Sequence, residues 1–383
     1  MTGLGTWLAR QALRHPEVDV LFDRFCKHLL DSGIPLWRCS LGLEVIHPET
    51  SGSQIRWIAE KSEREETLRP RGEWGDEYVK GPVSIVDETD KPYRRRLEGP
   101  IADMPILEEL RLQGATDYFI TPLPFVDRSR SAYLSYATRE EGGFTDAHVA
   151  SLERATLLFS PYAERHVLQR IGLDLLTTYI GPRSAERVYA GTISRGESEL
   201  ISAVICMADM RGFTRYVDTQ ELSTVLATLN DFFAVLVDAI VAQGGEVLKF
   251  MGDAVLAGFA QAGDNLSSAC HSAIAAARQI ETGIAGLNTA RIAAGRQPLA
   301  FGLALHAGDV AYGNIGGRTR LDFTVIGPAV NHTARLLELT KTAQHPILMS
   351  EVFARTSGLS LVALGHRRLR DVPGTQNIYT LPG

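Results

Sequence analysis

The stretch "LISAVICMADMRGFT" (residues 200–214) decides how the second half of this chain folds. Its first nine residues carry no charge, a continuous apolar run expected of a strand covered on both faces. The run ends on Asp209, and Gly212 follows where the backbone can turn sharply. Outward from there, "DTQELSTVLATLNDFFAVLVDAIVAQGG" (218–245) has helical periodicity, with Asp218 and Glu221 as a capping-box-like start and Gly244 as its stop. "EVLKF" (246–250) and "AVLAGFA" (254–260) then predict a hairpin around "MGD". An Ala-rich helix over about 264–294 follows, then three strands, "LAFGLALHAG" (299–308), "VAYGNIG" (310–316) and "LDFTVIG" (321–327), and a helix over 329–339. This order, β-α-β-β-α-β with extra strands, predicts an α+β fold with a ferredoxin-like palm.

Upstream, the pattern predicts a helix over 6–32 ending at Gly33, strands over 36–46 and 54–59, and a polar run from Glu60 to Pro105 read as loop with short elements. A helix over 106–114, the strand pair "TDYFITPLPF" and "SAYLSYAT", and a long helix opening at Thr145 and Asp146 complete it. That element order resembles a GAF- or PAS-like sensor module. The expected division is therefore 1–170 as an α+β regulatory domain, 171–197 as a coupling segment, and 198–383 as the catalytic domain. Trp37, Trp57, Trp74, Tyr118, Phe119 and Phe125 lie near the proposed strands of the first domain, where they read as core or as the lining of a small-molecule pocket.

The 383 residues carry a net charge of −6, against a general nucleic-acid binder. Cys26, Cys39, Cys206 and Cys270 show no metal-ligand spacing and read as reduced thiols. No uninterrupted apolar window reaches the ~18 residues of a membrane helix, Asp238 breaking the longest candidate. A cytoplasmic protein with no membrane span is expected.

Chemistry concentrates at Asp209 and Asp253. In a β-α-β-β layout the first strand neighbours the hairpin, so both carboxylates converge at one edge of the sheet. Singly, Asp209 reads as a helix cap and Asp253 as a turn residue. Together they suit Mg²⁺, which keeps waters and shares its shell with phosphates. Gly212 aims the amides of Phe213 and Thr214 at the same place, a loop able to cradle a polyphosphate.

"ADMRGFT", "GGEVLKFMGDAVLAGF" and "LDFTVIGPAVNHTARL" resemble the three signature blocks of class III adenylate and guanylate cyclases, over about residues 198–381. The resemblance implies a head-to-tail homodimer with two sites at its interface, each with two Mg²⁺ or Mn²⁺ ions. Asp209 and Asp253 match the metal ligands, Lys249 and Thr324 the base-reading pair, and Asn331 and Arg335 the ribose-orienting and transition-state residues. Lysine only donates, which suits an acceptor nitrogen on adenine and opposes the N–H of guanine. ATP is thus the expected substrate and cyclic AMP the product. Asn377 stands where some members carry a phosphate-holding lysine, and Arg318 or Arg320 is the substitute charge expected. The alternatives are a guanylate cyclase, which Lys249 opposes, and a nucleotide-binding regulatory module without turnover, opposed by the presence of both aspartates, Asn331 and Arg335.

Overall fold

The computed structural model describes residues 3–46, 49–61, 65–72, 76–127, 131–260 and 265–382; Trp74 falls outside them. The chain divides into two units, Met1–Thr178 and Tyr179–Gly383.

The first unit opens with α1 (Leu4–Arg14) and α2 (Val18–Asp31), where one helix was expected. Pro16 supplies the break: it lacks an amide hydrogen and pushes His15 out of helical geometry, to φ −136° and ψ 83°. There follow β1 (Arg38–Glu44), β2 (Thr50–Ile58), β3 (Glu65–Pro70), α3 (Asp76–Val79), α4 (Pro82–Thr89), β4 (Tyr93–Arg96), α5 (Pro105–Leu112), β5 (Asp117–Pro122), β6 (Ala132–Thr138) and α6 (Asp146–Ile180). The six strands form an antiparallel sheet in the order β3-β2-β1-β6-β5-β4. Both edge strands come from the polar run, which fits the polar composition that blunts a sheet edge. At the start of α6, Thr145 Oγ1 accepts from His148 N at 3.2 Å while His148 Nδ1 accepts from Thr145 N at 3.3 Å, a reciprocal cap that uses the histidine.

Residues of β1 and β6 are buried on both faces of the sheet apart from Glu44. One face, with Cys39, Leu41, Leu134 and Tyr136, packs under Leu8, Phe22, Phe25 and Phe159 of α1, α2 and α6. The other, with Tyr133 and Ala137, lies under Val86 of α4 and Leu107 and Leu110 of α5. Trp37, Trp57, Phe119 and Phe125 are core residues at 5% exposure or less, and Tyr118 lines a cavity.

The second unit contains α7 (Pro182–Tyr189), β7 (Ser198–Met210), α8 (Phe213–Thr219), α9 (Leu222–Ala242), β8 (Glu246–Met251), β9 (Ala254–Phe259), α10 (Leu266–Ala293), β10 (Phe301–Gly316), β11 (Leu321–Ile326), α11 (Pro328–Leu339), β12 (Ile347–Ser350), α12 (Glu351–Ser357), β13 (Val362–Arg367) and β14 (Gln376–Thr380). Its sheet runs β13-β14-β12-β10-β7-β9-β8, with β11 beside β10. The expected palm is present, with two corrections. "LAFGLALHAG" and "VAYGNIG" belong to the one strand β10, because its pairing with β7 continues through Gly308 and Asp309. Asp218 lies inside α8, and Glu221 at the start of α9 makes no capping side-chain bond, so no capping box forms.

α9 is long and apolar enough, by length and composition, to cross a membrane. Here Val225, Thr228, Phe232, Leu236, Ala239 and Ile240 form its buried stripe, with Phe232, Leu236 and Ile240 in the core that lines the sheet. Leu222 and Leu226, one turn apart on its outer side, are exposed.

Candidate active site

Asp209, near the end of β7, stands opposite Ala254 of β9 and Gly302 of β10. Asp253 directly precedes Ala254 in the two-residue connection of the β8–β9 hairpin, where Gly252 takes φ +67°. Register alone therefore brings the two carboxylates to one end of three adjacent strands. Asp209 Oδ1 is buried and makes no hydrogen bond. Arg211 Nη1 lies 3.1 Å from it, close enough for charge attraction but poorly aligned, and Nη2 of the same guanidinium also lacks an acceptor. Burial pushes the Asp209 carboxyl above its usual pKa, Arg211 and Lys341 oppose that rise, and the charge of Asp253 adds to it.

A buried Asp209 oxygen without a hydrogen bond, in the field of a second carboxylate, fits a divalent cation. Among the described residues no group of three or more His, Cys, Asp or Glu side chains converges. Two carboxylates without a third suit an ion such as Mg²⁺, which takes the rest of its shell from water and substrate.

A Cβ on Gly302 would meet Arg211 Nη2 at 1.7 Å and Thr340 Oγ1 at 2.5 Å, so any side chain there must displace the guanidinium. The guanidinium lies across a strand position that carries no side chain. Gly212 adopts φ +71° and leads into α8, with no side-chain cap competing for the first amides, those of Phe213 and Thr214.

Thr324 of β11 is buried opposite Gly313 of β10. Lys249 of β8 does not contact it in the described hydrogen bonds; its Nζ forms a 2.6 Å ion pair with Asp322. Two residues before Thr324, Asp322 shares its face of β11. The hydrogen bond from Lys249 holds the Asp322 carboxyl below its usual pKa. Sequence reasoning missed Asp322, although its spacing from Thr324 in "LDFTVIG" is the available signal.

On α11, Asn331 is exposed, and Arg335 is held by Glu338 at 3.1 Å and Asp371 at 3.0 Å. The cations that act on Asp209 are Arg211 and Lys341, neither of them singled out from the sequence. Arg318 and Arg320 are exposed in the turn between β10 and β11, closed by Gly317 N donating to Arg320 O at 2.9 Å. Asn377 of β14 donates from Nδ2 to Tyr379 Oη at 3.0 Å, so its side chain is engaged within the sheet. One chain therefore groups the expected residues as the aspartates with the Gly212 loop, Lys249 near Thr324 through Asp322, and Asn331 with Arg335 on α11.

This mixed helix-and-sheet architecture is the cyclase fold. A solved bacterial light-regulated adenylyl cyclase superposes with a TM-score of 0.51 at 20% identity, covering 68% of this chain and 85% of that one. In sequence, an adenylate cyclase of Anabaena cylindrica is 31% identical over 185 residues, 46% of this chain and 34% of its own. An uncharacterised protein of Mycobacterium tuberculosis (strain ATCC 25618 / H37Rv) is 34% identical over 173 residues, 45% of this chain and 30% of its own. The chain thus carries a region homologous to nucleotide cyclase catalytic domains. It spans about a third of the length of these curated relatives. No protein-family model matches it.

Proposed function

We propose that the second unit converts ATP to 3′,5′-cyclic AMP and pyrophosphate as a cytoplasmic homodimer, under control of the first unit. The observation that carries this reading is the register-enforced convergence of Asp209 and Asp253 around an unsatisfied buried carboxylate oxygen. These two side chains would hold the divalent ions, Mg²⁺ or Mn²⁺. When bound, such ions supply Lewis-acid activation of the ribose 3′-hydroxyl and neutralise charge on the triphosphate. The amides of Phe213 and Thr214 bind the polyphosphate, and the exposed Arg318 and Arg320 neutralise its terminal charge.

Lys249 donates to the adenine edge, and the Thr324 hydroxyl accepts from the exocyclic amine. Asn331 orients the ribose, and Arg335, four residues later on the same helix face, presents its fork of donors to charge growing on the α-phosphate. In the proposed dimer a second copy supplies Arg335 to the aspartates, exchanging the contacts with Glu338 and Asp371 that it makes within its own chain. The exposed apolar side chains Phe250 and Met251, beside Asp253 on the hairpin, support such an interface.

Turnover of ATP and GTP by the full-length protein with Mg²⁺ or Mn²⁺ tests the reading. Cyclic AMP from ATP, lost in Asp253→Ala, is expected. Cyclic GMP as the main product would overturn the substrate assignment, and equal activity of Asp253→Ala would overturn the metal site.

A further inference from the structure

The first unit encloses a cavity of about 390 Å³ on the sheet face away from α1, α2 and α6. Strand alternation builds it. Cys39, Leu41, Leu134 and Tyr136 fill the opposite face, while Arg38, Ser40 and Gly42 of β1 and Tyr133, Ser135 and Ala137 of β6 point to this one, paired Arg38 with Ala137, Ser40 with Ser135 and Gly42 with Tyr133. The Tyr133 ring lies over Gly42, where a Cβ would come within 2.3 Å of it. Serines in the middle of the floor leave the volume open, and Val83 of α4 with Ile106 and Leu110 of α5 close it on an apolar side.

Arg38 stands on this floor at 8% exposure, and among the described residues it has no hydrogen bond and no ion pair. Arg56 lines the same cavity; its Nη1 reaches Glu65 Oε2 at 3.0 Å, but its buried Nε has no partner. Burial first, and then the charge of Arg56, push the Arg38 pKa down, while Glu109, Tyr118 and Glu65 act weakly the other way. Glu109 is exposed and Glu65 already engages Arg56, so neither neutralises Arg38. A guanidinium so little exposed and without a counter-ion is costly, and this one opens onto the cavity, from which an anion could reach it.

The geometry points to this cavity as a binding site for a small organic anion, its carboxylate or phosphate head on Arg38 and Arg56 and its apolar body against α4 and α5. The planar fork of Arg38 suits bidentate capture of either head group. Ser40 and Ser135 add hydroxyls beside it. The volume lies in the lower part of the range of small-molecule sites, about 300–1,000 Å³. This names the ligand class for the regulatory role proposed above and rests on that role only for its consequence, since binding is read without turnover.

Full-length protein is dialysed to equilibrium against labelled benzoate, hexanoate or phenyl phosphate, with benzyl alcohol as the uncharged control. At least one anion is expected to be retained, one per chain, and benzyl alcohol is not. Arg38→Met should weaken that retention at least tenfold, and Arg38→Lys should keep part of it. Removing an unpaired buried charge should also raise the melting temperature of the Arg38→Met protein, by about 3 °C or more. Ser135→Leu fills the space without touching the charge and should exclude the anion too. Retention of none of the three anions by the folded wild type overturns the site. So does equal retention by Arg38→Met or Ser135→Leu, and so does a lower melting temperature in Arg38→Met, which would make Arg38 a structural residue.

Discussion

Lys249 shows how much a single neighbour changes the reading of a residue. Its 2.6 Å pair with Asp322 means that a glutamate at 249 would sit beside a carboxylate already present. Like charges that close raise one of the two pKa values and cost binding energy. Lys249→Glu alone should therefore lower kcat/KM for ATP at least tenfold without opening the site to GTP. Lys249→Glu combined with Asp322→Asn should turn over GTP, and the ratio of kcat/KM values for the two nucleotides reads the difference. His306 gives a prediction of another kind. It is buried, stacks on His332 with ring centroids 4.9 Å apart, and has its pKa lowered to about 4 by burial and by the second imidazole. Above the unfolded value of 6.5 both states are neutral. As the pH falls from there towards 4 only the unfolded chain takes the proton, so stability drops by up to about 3 kcal/mol and then levels off. Urea unfolding at pH 7 and pH 4.5 should show this loss in wild type and much less of it in His306→Gln. The strand end at Asp209 and the hairpin turn at Asp253 were legible because both announce themselves locally. The parts of Asp322 and Lys341 were not, because Lys249 and Asp209, on which they act, are distant in sequence, although the spacing of Asp322 from Thr324 was a signal.

At the scale of elements, α7 is fastened to the sheet by one buried carboxylate. Glu246 Oε1 accepts from Ser184 N at 3.1 Å and from Ser184 Oγ at 3.0 Å, and Oε2 accepts from Tyr312 Oη at 3.0 Å. Gly181 passes so close that a Cβ would lie 2.7 Å from the same oxygen, and its φ of +85° belongs to glycine. Glu246→Ala leaves the Ser184 amide and one hydroxyl of the Ser184–Tyr312 pair, 2.9 Å apart, without an acceptor, a loss of about 2–4 kcal/mol. Amide exchange should accelerate in α7 before it does so in β7, and equal acceleration in both would contradict the local anchor. Palm elements were readable wherever apolar periodicity was strong, as in α9, α10 and the β8–β9 hairpin. What escaped was set by pairing: Gly308 and Asp309 look like a strand break, yet β7 continues beside them. In the first unit, Pro16 was the visible signal that the expected helix must be two.

For the whole molecule, the proposed homodimer draws the aspartates from one chain and Arg335 from the other. Asp209→Ala and Arg335→Ala proteins should each be inactive, while an equal mixture recovers about a quarter of wild-type activity, because half the dimers then hold one intact site of two. No recovery after verified subunit exchange would rule out the shared site. The sequence carried the palm and its motif residues but little of the first unit's site, since Arg38 reads there as an ordinary strand residue. Only the sheet's pleat and the helices above it reveal that its charge is enclosed. The Arg211–Gly302 contact has a further consequence, in the chain's descent. A side chain at 302 must push aside the Arg211 guanidinium and the Thr340 hydroxyl, so a change at 302 weighs on both neighbours. Among diverging descendants, a residue larger than glycine at 302 should be found mostly where 211 has become short or 340 has lost its hydroxyl.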